Sequence, residues 1–273
     1  MKKPGLTLLL HAVLVTGALL TLAPLLWMVS ASLMPSGDAN SFPPRLLPRI
    51  VTFEHYRDLF TRLSLMRYFL NSLIISVSAT AISLLINSMA GYAFAKLRFG
   101  GRERVFRLLL AAIVIPAQVG MLPLFLLLRA MGLVNTMMGV VVPFMAGVFG
   151  IFMIRQYALS IPDDLLDAAR VDGAGEGRIF WTMVLPVLKP ILVTLAVFTF
   201  LSSWNDFMWP LIVLSDDAKY TLPVALASLS GEHVQDTELM MAGSVLTILP
   251  VVILFIALQR AYIRGVMMGS VKG

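Results

Sequence analysis

The chain has 273 residues, 59% of them hydrophobic and only 13% charged, about half the charged share of an average soluble domain (about 25%). That much apolar surface cannot be hidden in one water-soluble core, so lipid is the solvent. The net charge of +6 fits basic residues flanking membrane spans rather than nucleic-acid binding, and the lack of cysteine excludes a disulfide framework or a thiolate metal site.

The first apolar run, Leu6 to Met28, follows MKKPG. It exceeds the roughly 7–15-residue core of a secretory signal, so it reads as an uncleaved span despite the small Val29-Ser30-Ala31 after it. Residues 31–68 are polar and hold Pro35, Pro43, Pro44 and Pro48, which makes the segment partly extended. Within it TFEHYRDLFT, Thr52 to Thr61, reads as a short interfacial helix.

The second run is Phe69–Ala95. Along it Ala79, Ser83, Asn87, Gly91 and Ala95 recur every four residues and therefore share one helical face. Small residues let helices approach closely in lipid, and an amide can bond across the contact. Two readings are open: packing within the chain, and a subunit or gate contact, which makes Asn87 a candidate for the translocation path.

The third and fourth runs are Val105–Leu128 and Met138–Ile154. In the third, Pro116 and Pro123 read as kinks, and Gln118 between them is a candidate pore-lining amide. The fourth is the shortest and carries Pro143. The fifth and sixth are Ile191–Leu214 and Leu239–Tyr262. Most of the six approach or exceed the ~20 residues that cross a bilayer. Placing both termini inside puts most Lys and Arg in the inside segments, the densest group being Lys96, Arg98, Arg102, Arg104 and Arg107.

Between the fourth and fifth runs lies SIPDDLLDAARVDGAGEGRIFWTMVLPVLKP, Ser160 to Pro190. Ser160 and Asp163 form an S-x-x-D capping box, Pro162 suits a first turn, and Asp163 and Asp164 suit the positive end of the helix dipole. Gly173 is placed to end the helix. A second helical run, Arg178 to Val184, leads into Leu185-Pro186. Ala168, Ala169 and Gly173 give a small face on which another protein's backbone can sit, although a plain surface hairpin accounts for the same pattern.

Asn205 and Asp206 are unusual in an apolar run. Beside Trp204, Trp209 and Pro210 they read as interfacial anchoring with a break, or as part of an outer gate or translocation path. Gly173-x-Gly175-x-Gly177 is not a nucleotide loop, and no P-loop, H-E-x-x-H or G-x-S-x-G is present. His11, His55 and His233 are isolated and need no ligand role.

DAARVDGAGEGRIFWTMVLPVLKP resembles the EAA loop of binding-protein-dependent ABC importer permeases, with Asp167-Ala168-Ala169, Gly173 and Val184-Leu185-Pro186 at the matching positions. FLSSWNDFMWP (Phe200 to Pro210), YTLP (Tyr220 to Pro223), MAG (Met241 to Gly243) and the ending LQRAYIRGVMMGSVKG (Leu258 to Gly273) resemble the carbohydrate-uptake branch with maltose-type permeases. The likeness runs from about Tyr68 to Gly273. One departure is Asp167, which stands where the family usually has glutamate.

The resemblance implies an all-α membrane protein with six transmembrane helices, both termini cytoplasmic, and the type I ABC importer permease architecture. It implies one permease domain over residues 1–273, with residues 158–190 as a cytoplasmic coupling loop, in the bacterial inner membrane. Asp167, Ala168, Ala169, Asp172, Gly173, Arg178, Leu185 and Pro186 are the expected ATPase-coupling residues. Gly231, Glu232, His233, Gln235 and Asp236 are the candidate contact for an extracytoplasmic solute-binding protein. The expected partners are a second homologous permease, two ATPase subunits, the binding protein and the bilayer. The chain itself is expected to be non-catalytic and to bind no cofactor or metal, with ATP and Mg on the ATPase. The expected task is carbohydrate uptake by alternating access. A secondary transporter, or an importer of a polyol or glycerol phosphate, is the alternative; the first lacks ionisable groups in the central apolar runs.

Overall fold

The computed structural model describes residues 4–43, 45–232 and 236–268. All regular structure among them is helical. An apolar chain in lipid must satisfy its backbone groups within each segment, and helices do so without leaving an open edge.

Three helices are long and apolar enough to cross a bilayer alone: α1 (Pro4–Ala31), α3 (Leu65–Lys96) and α14 (Thr237–Met268). Three bent pairs bring the number to six if each is one span. α4 (Arg102–Ala112) and α5 (Ala117–Ala130) meet at 107°. α6 (Met137–Val141), with a 3₁₀ turn through Pro143, meets α7 (Val148–Ala158) at 43°. Residues 176–187, whose last turn is α10 (Leu185–Val187), meet α11 (Lys189–Trp204) at 78°. The short helix expected in the first polar loop is present as α2, Glu54–Thr61.

Three apolar runs that read as single spans are therefore broken, the fourth run at residues 145–147. Pro116 is the N-cap of α5 and sits at the break in the third run. The fifth run, expected over 191–214, stops at Trp204 and restarts as α12 (Met208–Val213). A continuous helix would press the Pro210 ring against the Asp206 carbonyl. Restarting at Met208 puts Pro210 in a first turn, where its missing N–H leaves no bond unmade.

The chain divides into two compact units, residues 1–67 with 225–250 and residues 68–224 with 251–273. In the first, Ala31, Met34 and Ala39 are buried with Trp27 and Met241 against them. Polar groups close this core: the Ala39 N–H donates to Glu238 Oε1 at 2.7 Å, and buried His55 lies with Nε2 2.9 Å from the Met34 carbonyl.

The second unit has two cores along α3. One joins Tyr92 and Ala95 to Ile154, Ala158, Leu166, Ile179 and Val184. The other joins Ile75 and Ala79 to Leu128, Val140, Trp209 and Val213. The stripe on α3 is a contact within the chain: Ala79, Ser83, Asn87 and Ala95 are all buried. A Cβ on Gly91 would lie 2.5 Å from Ile154 Cγ2, and one on Gly150 2.5 Å from Asn87 Nδ2. Those glycines let α7 close on α3.

Candidate functional site

The polar hairpin between α7 and α11 begins differently from the expected capping box. α8 spans Asp163–Val171 with Pro162 as its N-cap, and no side chain caps it. The Ser160 hydroxyl instead donates to the Tyr157 carbonyl at 2.7 Å, in the turn leaving α7. The cause is Pro162: the residue before a proline is driven out of the helical region, so Ile161 cannot start the helix and is buried instead. Lys96, at the end of α3, holds this start. Its Nζ donates at 2.6 Å both to the Ile161 carbonyl and to Asp163 Oδ1. That bond keeps the Asp163 carboxyl below its ordinary range.

α8 is amphipathic. Leu166 is fully buried, and Ala169 packs inward on the core below. Leu165, Ala168 and Val171, three apart and so on one side, face outward; Val171 is 88% exposed. The two alanines thus do different work: Ala169 seats the helix and Ala168 is presented.

The helix ends as expected. Gly173 has φ +81, its N–H donates to the Arg170 carbonyl, and the Ala174 N–H donates to the Ala169 carbonyl. This is a Schellman closure, in which glycine carries no Cβ penalty. Asp172 is the C-cap, exposed like Gly173.

Arg170 braces the corner. Its Nη1 donates to Asp167 Oδ1 at 2.5 Å and its Nε to Glu176 Oε1 at 2.7 Å. These two carboxylates raise the guanidinium pKa further. The other Glu176 oxygen accepts from the Tyr92 hydroxyl at 2.8 Å. A nearby cationic post stands beside this brace: Arg155 donates to the Phe94 carbonyl and to Glu103, and lies 4.1 Å over the Phe106 ring.

After α9 (Glu176–Ile179) the helix widens to a π turn over Phe180–Val184, with the Leu185 N–H donating to the Phe180 carbonyl five residues back. Pro186 has no N–H, and its ring would crowd the Thr182 carbonyl of a regular helix; the wider turn relieves this. Leu185 is half-buried on the core, while Pro186 and Arg178 are exposed. Pro186 lines a small apolar groove with Trp181, Leu84 and Leu192.

The other candidate residues lie elsewhere. Asn87 is buried, with Nδ2 donating to Ser83 Oγ at 2.8 Å and Oδ1 left without a partner. Gln118 is exposed in the first turn of α5. Asn205 is the exposed C-cap of α11, and half-buried Asp206 accepts from the Trp209 N–H at 3.4 Å. Gly231 and Glu232 end α13 (Leu222–Glu232), and His233 and Gln235 lie outside the described residues. Asp236 immediately precedes α14, its carboxylate accepting from the Leu239 N–H at 2.9 Å, with His55 Nδ1 3.8 Å away. In the sequence Lys96 stands out only as one of the basic residues flanking a span, and neither Arg155 nor Arg170 stands out. The Asp167–Arg170 spacing on one face was a signal for that pair; nothing local links Tyr92 to Glu176.

Apolar spans, several of them broken, packed on a braced polar hairpin define a multi-pass membrane protein. Residues 83–267 match the family described as binding-protein-dependent transport system inner membrane component, and the chain belongs to that family. It is a multi-pass inner-membrane permease of the ABC transporter class, with the type I importer fold.

The chain is 41% identical over 259 residues to the arabinooligosaccharides transport system permease protein AraQ of Halalkalibacterium halodurans, covering 94% of this chain and 93% of the relative. It is 34% identical to the lactose transport system permease protein LacG of Rhizobium radiobacter, covering 96% and 95%. Among solved structures it superposes on a bacterial ABC transporter involved in the import of the acidic polysaccharide alginate, with TM-score 0.82 and 26% identity, over 95% of this chain and 98% of that one.

Proposed function

We propose that this chain forms half of the translocation path of a carbohydrate importer, with both termini and the 158–190 hairpin in the cytoplasm. A second homologous permease supplies the other half, two ATPase subunits bind ATP and Mg inside, and a solute-binding protein delivers substrate outside. The observation that carries this reading is the presented face of α8. Leu165, Ala168 and Val171 are exposed on a helix whose base is fixed by Lys96, Arg170 and buried Leu166. Exposed apolar residues on a rigid mount suit a protein partner rather than water. ATP-driven closure of the ATPases pulls on α8, and the brace passes the motion to the spans.

Asp167 fits this scheme as an intrachain brace, because its carboxylate already bonds Arg170. Asp172, Gly173 and Ala168 form the side turned to the ATPase, and Leu185 and Pro186 shape the return to α11. Gln118, Asn205 and Asp206 are the polar groups offered to a sugar. The substrate class is supported by relatives named for arabinooligosaccharide and lactose transport.

The test uses the absence of cysteine in the chain. Single cysteines at Ala168 and at Arg62 are labelled with a membrane-impermeant maleimide in intact spheroplasts. Ala168→Cys should react only after lysis and should crosslink to the ATPase; Arg62→Cys should react before lysis. The reverse pattern overturns the orientation. Uptake by the reconstituted complex across arabino-oligosaccharide, lactose and glycerol phosphate assigns the solute, and uptake of glycerol phosphate alone overturns the carbohydrate reading.

A further inference from the structure

We propose that the cleft between the start of α4 and the polar hairpin binds the headgroup of an anionic phospholipid. The proposal rests on the cytoplasmic placement of the hairpin given above.

The cleft measures about 1570 Å³ and is walled by residues 95–107 on one side and by α8 and α9 on the other. Each of its acidic groups is already in an ion pair. Asp163 is held by Lys96, Asp167 and Glu176 by Arg170, and Glu103 by Arg155 and Arg102. Arg98, Arg104 and Arg107 also line the cleft, are exposed, and have no acidic partner within ion-pair distance among the described residues. Three guanidiniums outside any ion pair in one concavity call for an anion, and planar forked donors suit a phosphate.

The surroundings choose a lipid over a soluble anion or an acidic protein. Arg104 and Leu108 are four residues apart on one side of α4, and Leu108 is 72% exposed. Phe99 and Val105 beside the arginines are exposed as well. Just past the end of α4, Ile113, Val114 and Ile115 are exposed too. A surface that passes from arginine to exposed aliphatic residues within one helical turn lies at a headgroup–acyl boundary. A phosphate bound there places its acyl chains along α4, while its charge meets Arg98, Arg104 and Arg107. Because the opposite wall is the brace of α8, an occupied cleft stiffens the hairpin's mount.

Native mass spectrometry on the complex, equilibrated with equal amounts of phosphatidylglycerol and phosphatidylcholine, tests this. The wild type should retain phosphatidylglycerol in preference. The triple variant Arg98→Gln, Arg104→Gln, Arg107→Gln should lose that preference by about 100-fold, since each basic side chain near an anionic surface contributes appreciably. Arg104→Gln alone should lose it in part, which keeps the test sound if the triple variant misfolds. Arg57→Gln with Arg62→Gln, on the other polar loop, should retain it. Equal retention by wild type and triple variant overturns the proposal. Displacement by millimolar inorganic phosphate means a soluble-anion site and overturns it too, as does lipid binding seen only when the ATPase is removed. The lipid readout does not involve transport, so failure to import any sugar would strike the transport reading and leave this one standing.

Discussion

The Tyr92 hydroxyl donates a 2.8 Å hydrogen bond to Glu176, 84 residues on. Tyr92 lies in the last turns of α3 and is buried, whereas Glu176 opens α9 and is exposed. Glu176 also accepts from Arg170, which grips Asp167. A pull on α8 therefore reaches α3 through Asp167, Arg170, Glu176 and Tyr92 as well as through the chain. Lys96 adds a second tether from the same helix to the other end of α8.

Removing one link should loosen the mount without unfolding the membrane domain. Tyr92→Phe deletes the bond and keeps the ring packed on Phe180. A single hydrogen bond contributes about 1 kcal/mol, which is about a fivefold change in a local opening equilibrium. Hydrogen exchange of amides 163–179 should quicken by about that factor, with the thermal midpoint of the complex nearly unchanged. In proteoliposomes, uptake should fall more than ATP hydrolysis. Equal losses in both would mean that the link is structural and carries no coupling.

Gly173 separates backbone from surface effects. Nothing lies within 4 Å of a Cβ placed there, and φ is +81. Gly173→Ala then costs about 1–2 kcal/mol through the left-handed backbone alone. Asn tolerates that conformation better than Ala, so Gly173→Asn should preserve more exchange protection at the end of α8. Gly173→Leu adds bulk to the face proposed above to meet the ATPase. It should abolish capture of the ATPase while the chain still inserts in membranes. Capture and uptake at the wild-type level would remove Gly173 from the docking face.

The tether at the start of α8 has a defined pH dependence. Lys96 lowers the Asp163 pKa in the folded chain. A depressed carboxyl stabilises the fold above its unfolded value, about 3.9, and the contribution is lost as pH falls through the folded value. Exchange protection at the start of α8 should thus be flat from neutral pH down to about 5, and should decline only below about 4. Lys96→Met should remove the dependence and expose the Ile161 carbonyl. A protection step near neutral pH would show that another group holds the turn.

The sequence disclosed what depends on local chemistry. Six apolar runs, the short helix at Glu54–Thr61 and the glycine stop at Gly173 are readable because length, amphipathic spacing and left-handed backbone are properties of neighbours in sequence. The breaks in the third and fifth spans were less legible. Apolar residues serve equally well before and after a bend, so only Pro116 and Pro210 carried a hint. The S-x-x-D box at Ser160 was a false signal because Pro162 constrains Ile161 more strongly than a cap rewards Ser160. Tyr92 and Glu176 are joined only by tertiary packing, and no spacing rule reaches across two spans.

The stripe on α3 makes a prediction that pairs two positions. A Cβ on Gly150 would lie 2.5 Å from Asn87 Nδ2 and 3.0 Å from its Cγ, with Leu195 Cδ1 at 3.2 Å. Asn87 is 1% exposed and cannot swing into solvent. Gly150→Ala should therefore overpack the contact of α7 on α3, at about 1–3 kcal/mol, and lower the thermal midpoint of the purified chain. Asn87→Ala alone removes the bond to Ser83 Oγ and leaves a void, a separate loss of about 1–2 kcal/mol. Combined, the smaller side chain at 87 makes room for the new methyl at 150. The double variant should be more stable than the sum of the single losses by at least about 1 kcal/mol. Strict additivity in thermal unfolding would mean that the two positions do not press on each other, and that α7 approaches α3 for some reason other than the missing side chain at Gly150.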